Sequence, residues 1–358
     1  MPKRLSALAA LLVASTAVMA QSPQQPAAAE AAPAPAPFVA EEAKEVVQTL
    51  ATQLEENFVF PEVGKQYAAA LRAKLASGGY SSFADSREFA RAVTADLQAV
   101  HKDGHLRIGR APPQQPGQGP RRRPGPDVQP IEKSGWIADG VAYISFGMFP
   151  GDEETLAKLR TFLAEHSNAK TLIIDARGHR GGGLEEMDLM FPYFYGKPQT
   201  LVQMDTRVAV EQRRGSPLED GPTLVKVKGP EGVVRRSHNV IPAKEVTGLR
   251  TAKIFLLTSK RTASAAEHLS LSLKRTGRAT LIGETTAGAG HYGGMVPLGH
   301  DFAAFIPVGR TFDPDNNQGW EGTGVKPDVE VPADQALDEA LRRAGVEPAR
   351  AKTLASLN

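Results

Sequence analysis

Cysteine is absent from all 358 residues. The chain can therefore hold no disulfide, no cysteine-ligated zinc, no cysteine nucleophile and no cysteine-linked lipid anchor. An oxidising compartment would leave it unchanged. An excess of charge of one sign is also missing: 42 Lys and Arg face 40 Asp and Glu, a formal net charge of +2. That balance argues against nucleic acid as the main partner. Beyond the N-terminus no apolar run approaches the roughly 20 residues that span a bilayer, so no stable membrane insertion is expected. What remains is an ordinary globular composition, 41% hydrophobic and 23% charged, which excludes disordered and collagen-like chains. The length suggests two domains with appendages.

The N-terminus reads as an address. Lys3 and Arg4 precede an apolar run from Leu5 to Met19, and Ala20 is followed by the polar Gln21-Ser22. This order predicts a secretory signal peptide over 1–20, cleaved near Ala20, and a periplasmic or secreted protein. An uncleaved anchor is the competing reading, but the run is short for one. Residues 21–37, mostly Gln, Pro and Ala, read as a tether. Ala111 to Asp127 is a second biased stretch, containing Arg121-Arg122-Arg123; a solvated loop is preferred to a basic docking patch.

Between them three apolar patterns have helical spacing: Val46, Leu50, Leu54; Val63, Tyr67, Leu71, Leu75; and Phe89, Val93, Leu97, Val100. Pro61 suits a first helical turn, and Asp85 with Glu88 resembles a capping box. A small all-helical N-terminal domain is expected over 38–104, with the main α/β domain over 105–358. There the pattern changes. Asp139-Gly140 between Trp136–Ala138 and Val141–Ile144 predicts a hairpin. Thr171–Ile174 and Ile254–Leu257 read as buried strands, each followed by a turn and a helix, which implies parallel βαβ units.

Four segments carry candidate chemistry. In Thr262-Ala263-Ser264-Ala265-Ala266-Glu267 a serine sits where a helix follows a buried strand. The free N–H groups and dipole of a helix start would stabilise an oxyanion there. A plain N-cap is the alternative role for Ser264. In Asp175-Ala176-Arg177-Gly178-His179-Arg180-Gly181-Gly182-Gly183 consecutive glycines expose backbone N–H groups. The spacing matches neither dinucleotide nor P-loop signatures, so an oxyanion hole is preferred to a phosphate cradle. Asp103-Gly104-His105-Leu106 supplies an imidazole able to take a serine proton. Gly319-Trp320-Glu321-Gly322-Thr323-Gly324-Val325-Lys326-Pro327-Asp328 supplies a carboxylate in a glycine-rich loop.

Together these segments resemble peptidase family S41, the C-terminal-processing and tricorn-like serine peptidases, and within it the branch of interphotoreceptor retinoid-binding protein repeats. The Asp175–Gly182 and Thr262–Glu267 motifs, Gly283-Glu284-Thr285-Thr286-Ala287-Gly288, and Gly324–Asp328 follow the family order. Phe58-Val59-Phe60-Pro61, Gly79-Tyr80 and Asp103–Leu106 resemble the helical domain of the retinoid-binding-protein branch. The resemblance covers about residues 40–335. It implies a crotonase/ClpP-like α/β core, an exported serine endopeptidase without a cofactor, and a peptide or protein substrate. It implies Ser264 as nucleophile, His105 as base, Glu321 as the late carboxylate, and Ala265 with Gly181 or Gly182 as the oxyanion hole.

The family's alternative Ser–Lys dyad lacks its lysine, because that position is Ala289. Gly104 stands where tricorn has a serine, so Glu321 is expected to meet His105 directly or through water. His179 stands where the family motif has asparagine. No PDZ domain fits the roughly 30 residues between His105 and Trp136. His291 and His179 are expected as possible cleft-lining residues. No His-x-x-x-His or carboxylate spacing supports a metal, so none is expected. His268 reads as core or support, and Glu267 as a structural partner in the first helical turn. Two rivals are a non-catalytic hydrophobic-ligand-binding module on the same fold and a serine hydrolase acting on other acyl substrates.

Overall fold

The computed structural model describes residues 36–110 and 128–357. The expected signal peptide, the tether up to residue 35 and the 111–127 loop lie outside them. The elements run α1 (Ala40–Asn57), α2 (Pro61–Ala76), α3 (Ser86–Val100), β1 (Arg107–Arg110), β2 (Ile131–Ala138), β3 (Val141–Phe146), α4 (Glu153–Glu165), β4 (Thr171–Asp175), α5 (Glu185–Phe194), β5 (Gln199–Arg207), α6 (Val208–Arg214), β6 (Leu224–Val227), β7 (Val233–Val240), β8 (Lys253–Thr258), α7 (Ala265–Arg275), β9 (Thr280–Gly283), β10 (His291–Gly299), β11 (Phe302–Phe312), β12 (Val329–Glu330) and α8 (Ala336–Arg343). No described helix is long and apolar enough to cross a membrane.

The three helical repeats form as their spacing requires. Val46, Leu50 and Leu54 are buried on α1, and Phe89, Val93 and Leu97 on α3. Pro61 opens α2. Asp85 caps α3 by accepting the Arg87 and Glu88 N–H groups, but Glu88 Oε2 takes the Ala84 N–H, one residue before the cap, so the reciprocal bond of a capping box is displaced.

One sheet has the order β12-β9-β8-β4-β3-β2. All its pairs are parallel except the β2–β3 hairpin, whose turn holds Gly140 at φ 68°. Its central strands are buried on both faces, which is why they read as unbroken apolar runs. Leu172, Ile174, Ile254, Leu256 and Leu281 pack with residues of α4, α5 and α7. Ile173, Phe255, Leu257 and Ile282 face α8 and the C-terminal segment. A second sheet, antiparallel, has the order β1-β11-β5-β7-β6 with β10 also on β11. This sheet was not expected from the sequence. Its β10–β11 face (Val296, Leu298, Phe302, Ala304, Ile306, Val308) closes the same core as α1, α2 and α3. The helical region therefore buries its apolar faces against this sheet, and the chain from Ala36 onward is one compact unit.

Phe89 is central to that joint. It is fully buried and meets Phe38, Tyr80, Phe83 and, edge-on at 5.4 Å, Phe302 of β11. Phe89→Ala removes a ring from both halves of the core, so a loss of about 3–5 kcal/mol is expected. Urea unfolding should show it as one shifted transition, and a separate early transition of the helices would contradict the shared core.

Candidate active site

The carboxyl ends of β4, β8 and β9 lie side by side, since β4 pairs with β8 and β8 with β9. Loops leaving such adjacent ends build sites in parallel sheets. Here the loop after β4 carries the glycine motif, the loop after β8 carries Ser264, and the segment after β9 carries Gly288–His291. Side chains bind the first two loops together. Thr262 Oγ1 donates to the Ala176 carbonyl at 2.7 Å, and Ser259 Oγ to the Arg177 carbonyl at 2.7 Å. The Ala263 N–H donates to the His179 carbonyl at 3.0 Å.

Ser264 takes φ 58° and ψ −119° immediately before α7. A side-chain-bearing residue holds such a left-handed conformation only when its surroundings enforce it, at a cost of about 1–3 kcal/mol. One enforcing group is Glu267, whose Oε2 accepts the Ser264 N–H at 2.8 Å. Another is the packing against Gly181: a Cβ there would lie 2.7 Å from Ser264 Cβ and 3.1 Å from its Oγ. Gly181 and Gly182 both have positive φ, 105° and 143°, and a Cβ on Gly182 would lie 1.9 Å from the Phe149 carbonyl oxygen. Only glycine fits either position.

A cavity of about 1260 Å³ opens beside this turn, lined by Ser264, Ala265, Gly182, His268, Ala289 and Trp320 among others. No described lining residue is a lysine. The Ala265 N–H, the first of α7, has no acceptor among the described residues. Gly182 forms a parallel bridge with Phe149 in which the neighbouring Gly181 carbonyl and Gly183 N–H make the bonds, at 2.9 and 2.8 Å. That geometry turns the Gly182 N–H away from Phe149.

Two expectations need correction here. Gly181 was a candidate oxyanion donor, but its N–H donates to His179 Nδ1 at 3.0 Å. His179 was a possible cleft-lining residue, but it is fully buried, edge-on to Phe149 at 4.1 Å. Burial pushes its pKa down to about 3, so the ring is neutral and Nδ1 stays an acceptor. His179 thus fixes both loops, one through its ring and one through its carbonyl.

His105 begins on the far side of Ala289. A Cβ on Gly104 would lie 3.1 Å from both Ala289 Cα and Cβ, so the backbone leading into His105 packs on the cavity wall. Asp103 Oδ1 accepts the His105 and Leu106 N–H groups, both at 2.9 Å, and the His105 ring stacks on Phe305 at 5.1 Å. Glu321 takes backbone donors: Gly104 N–H at 2.6 Å on Oε1, and Gly290 and His291 N–H at 2.6 and 2.9 Å on Oε2. Glu321 therefore reaches the His105 region through the Gly104 backbone.

His291 was also expected as possibly cleft-lining. It is 5% exposed, packed edge-on against Phe58 and Phe60, and lies outside the cavity lining. Its Nδ1 is 2.7 Å from Asp103 Oδ2. Burial alone would raise the Asp103 pKa, but the bond and charge of His291 and the two N–H donors hold it below the usual carboxylate range. Asp103, His291 and Glu321 offer three ligand atoms within 4.8 Å of one another. As folded they do not suit a transition metal: two ligands about 2.0–2.1 Å from a tetrahedral ion stand about 3.3 Å apart, wider than the 2.7 Å Asp103–His291 contact.

The sequence signal for Asp188–His238–His268 was missed. His268, one turn after Ser264, bonds His238 Nδ1 through Nε2 at 2.8 Å, and His238 Nε2 bonds Asp188 Oδ1 at 2.9 Å. Only the Ser264–His268 spacing on one helix hinted at it, since His238 comes from β7.

The family model for peptidase family S41 matches residues 140–331. The chain belongs to peptidase family S41. The model for the N-terminal domain of the family in eukaryotic IRBP matches residues 11–134. Carboxy-terminal processing protease CtpB of Bacillus subtilis is 25% identical over 193 residues, 53% of this chain and 34% of that protein. Carboxyl-terminal-processing peptidase 1 of Arabidopsis thaliana, a chloroplast protein, is 27% identical over 130 residues, 36% of this chain and 26% of that protein. The chain thus spans about a third or less of the length of these curated relatives. Among solved structures, a peptidase candidate from Parabacteroides merdae aligns with a TM-score of 0.58 at 16% identity, over 87% of this chain and 99% of that one. The photosystem II D1 C-terminal processing protease aligns with a TM-score of 0.51 at 15% identity, over 87% and 99%. These likenesses show the fold: a mixed α/β protease core preceded by helices.

The buried neutral His179 gives a test by pH. Its folded pKa, about 3, lies below its ordinary value of 6.5. Its contribution is therefore complete above about pH 6.5 and is lost as pH falls toward 3, because the unfolded chain binds a proton that the folded one refuses. The slope from this group is at most about 1.4 kcal/mol per pH unit. His179→Asn keeps an acceptor for the Gly181 N–H and does not titrate. Its urea midpoint should fall less steeply than that of wild type between about pH 6 and about pH 4, and parallel slopes would place the titration elsewhere.

Proposed function

We propose that the protein is an exported serine peptidase in which Ser264 attacks the carbonyl carbon of a peptide bond. The observation that carries this reading is the enforced left-handed Ser264 at the start of buried α7, packed on Gly181 and opening on the cavity. Membership of family S41 supports the reaction class, and the N-terminal sequence Lys3 to Gln21 supports export.

In this mechanism His105 takes the Ser264 Oγ proton as the new C–O bond forms. The negative charge passes to the carbonyl oxygen, which meets the Ala265 and Gly182 N–H groups at the positive end of the α7 dipole. His105 then gives its proton to the leaving amine as the C–N bond breaks. A water, deprotonated by His105, releases the acyl group and restores Ser264. Glu321 is a positioning residue: it holds Gly104 while Asp103 holds the His105 N–H, so the imidazole is carried on a backbone fixed from both sides. Peptides or proteins are the substrates, and the mechanism draws on no cofactor.

Ser264→Ala should abolish fluorophosphonate labelling and reduce kcat/KM by up to about 10⁶-fold, while urea stability changes by about 1 kcal/mol or less. Labelling at another residue would overturn the assignment. A wild type that binds peptides but takes no label would instead be the binding module. Glu321→Gln sets an amide N–H₂ among three backbone donors, so kcat should fall on the order of 10²-fold with KM little changed. An undiminished kcat would remove Glu321 from the positioning of His105.

A further inference from the structure

We infer that the cavity beside Ser264 receives a positively charged side chain of the substrate, a lysine or arginine near the scissile bond, on a wall formed by Asp188 and His268. The inference rests on the peptidase reading for its assumption that this cavity is the substrate cleft.

Seven aspartates and glutamates line the cavity and, among the described residues, no lysine or arginine does. Several of these carboxylates are already engaged: Asp220 bonds Arg236 and Lys226, Glu153 and Glu154 pair with Arg160 and Lys158, and Asp152 caps α4. Glu185 and Glu219 have no cationic partner among the described residues. Asp188 has His238 as its ring partner, with its carboxylate about a third exposed.

The Asp188–His238–His268 chain adds an independent observation. With one proton on each ring the direction of the chain follows from its carboxylate end. A carboxylate only accepts, so His238 Nε2 carries the proton that faces Asp188. His238 Nδ1 then accepts from His268 Nε2–H, and His268 Nδ1 keeps its lone pair. His268 is 3% exposed, lines the cavity, and has no partner for Nδ1 among the described residues. Burial holds its pKa well below the ordinary value, so the ring carries a single proton. Both ends of the chain lie on the cavity wall, with His238 fully buried behind them.

Asp188, and His268 Nδ1 in this tautomer, therefore face the cavity as acceptors. An ammonium or guanidinium group can donate to the Asp188 carboxylate, with His268 Nδ1 a further acceptor on the same wall, and its charge is matched as it leaves water. A carboxylate side chain would be repelled, and an apolar one would leave the acceptors unpaired.

The test measures binding of a peptide series to full-length Ser264→Ala protein and turnover of the same series by wild type. At each position flanking the scissile bond the series sets lysine against norleucine and arginine against citrulline. The expected result is a preference for the charged member on the order of tenfold at one position, shrinking as salt rises from about 0.05 M to about 0.5 M. Asp188→Asn should cut the lysine-to-norleucine ratio by about tenfold. Should that variant fail to fold, Glu219→Gln and the salt dependence of wild type read the same term. Equal binding of charged and neutral members at every position would overturn the inference. A wild type labelled at Ser264 but lacking the preference refutes the inference and leaves the peptidase reading intact. An unlabelled protein that keeps the preference does the reverse.

Discussion

Four consecutive backbone N–H groups, those of Gly288, Ala289, Gly290 and His291, are divided between two glutamate side chains. Glu267 takes the first two at 2.7 and 2.8 Å, and Glu321 the second two at 2.6 and 2.9 Å. Glu267 also accepts the Thr286 hydroxyl and the Ser264 N–H. Burial raises its pKa, yet both oxygens are filled by donors, which leaves no place for a proton. A fully buried carboxylate with four donors is costly to form and far costlier to disturb, since losing it would orphan three backbone amides and a hydroxyl. The conformation of Ser264 depends on this arrangement, because the same oxygen that holds Ala289 holds the Ser264 N–H.

The second glutamate extends the lattice to the helical region. Glu321 holds Gly104, and Asp103 holds His105, Leu106 and the His291 ring. Carboxylates 103, 267 and 321 thus meet on one short glycine-rich segment. This explains why Ala289 and Gly104 are both small. They touch: a Cβ on Gly104 would lie 3.1 Å from both Ala289 Cα and Cβ.

What the sequence made legible follows the range of the interactions. α1 to α3 and the parallel strands were readable because periodicity and unbroken apolar runs are local signals. Ser264, Glu267, Gly182 and Glu321 were each visible inside short motifs. The antiparallel sheet was not, since β5 and β7 are partly polar and β11 meets β1 and β5 only across long stretches of sequence. The individual roles of the glycines were hidden for a similar reason. Gly181 and Gly182 look equivalent as letters, but His179 takes the N–H of one, and the bridge to Phe149 turns that of the other. His238 carried no signal at all, because its meaning comes from a helix 30 residues later and an aspartate 50 residues earlier.

In the proposed reading an acidic cavity beside the oxyanion hole sets a problem that hydrogen-bond donors partly resolve. Negative charge on the wall opposes negative charge developing at the substrate carbonyl. Asp103 and Glu267 are compensated by hydrogen-bond donors, whereas the neutral His179 and His268 add no positive charge to offset the wall. Glu185 and Glu219, which have no cationic partner among the described residues, and the partly exposed Asp188 remain on the cavity wall, where solvent screens them. In the proposed reading a cationic substrate side chain neutralises that remainder on binding. The substrates that the wall retains are then also those whose oxyanion forms in the least hostile field, so recognition and catalysis select the same charge.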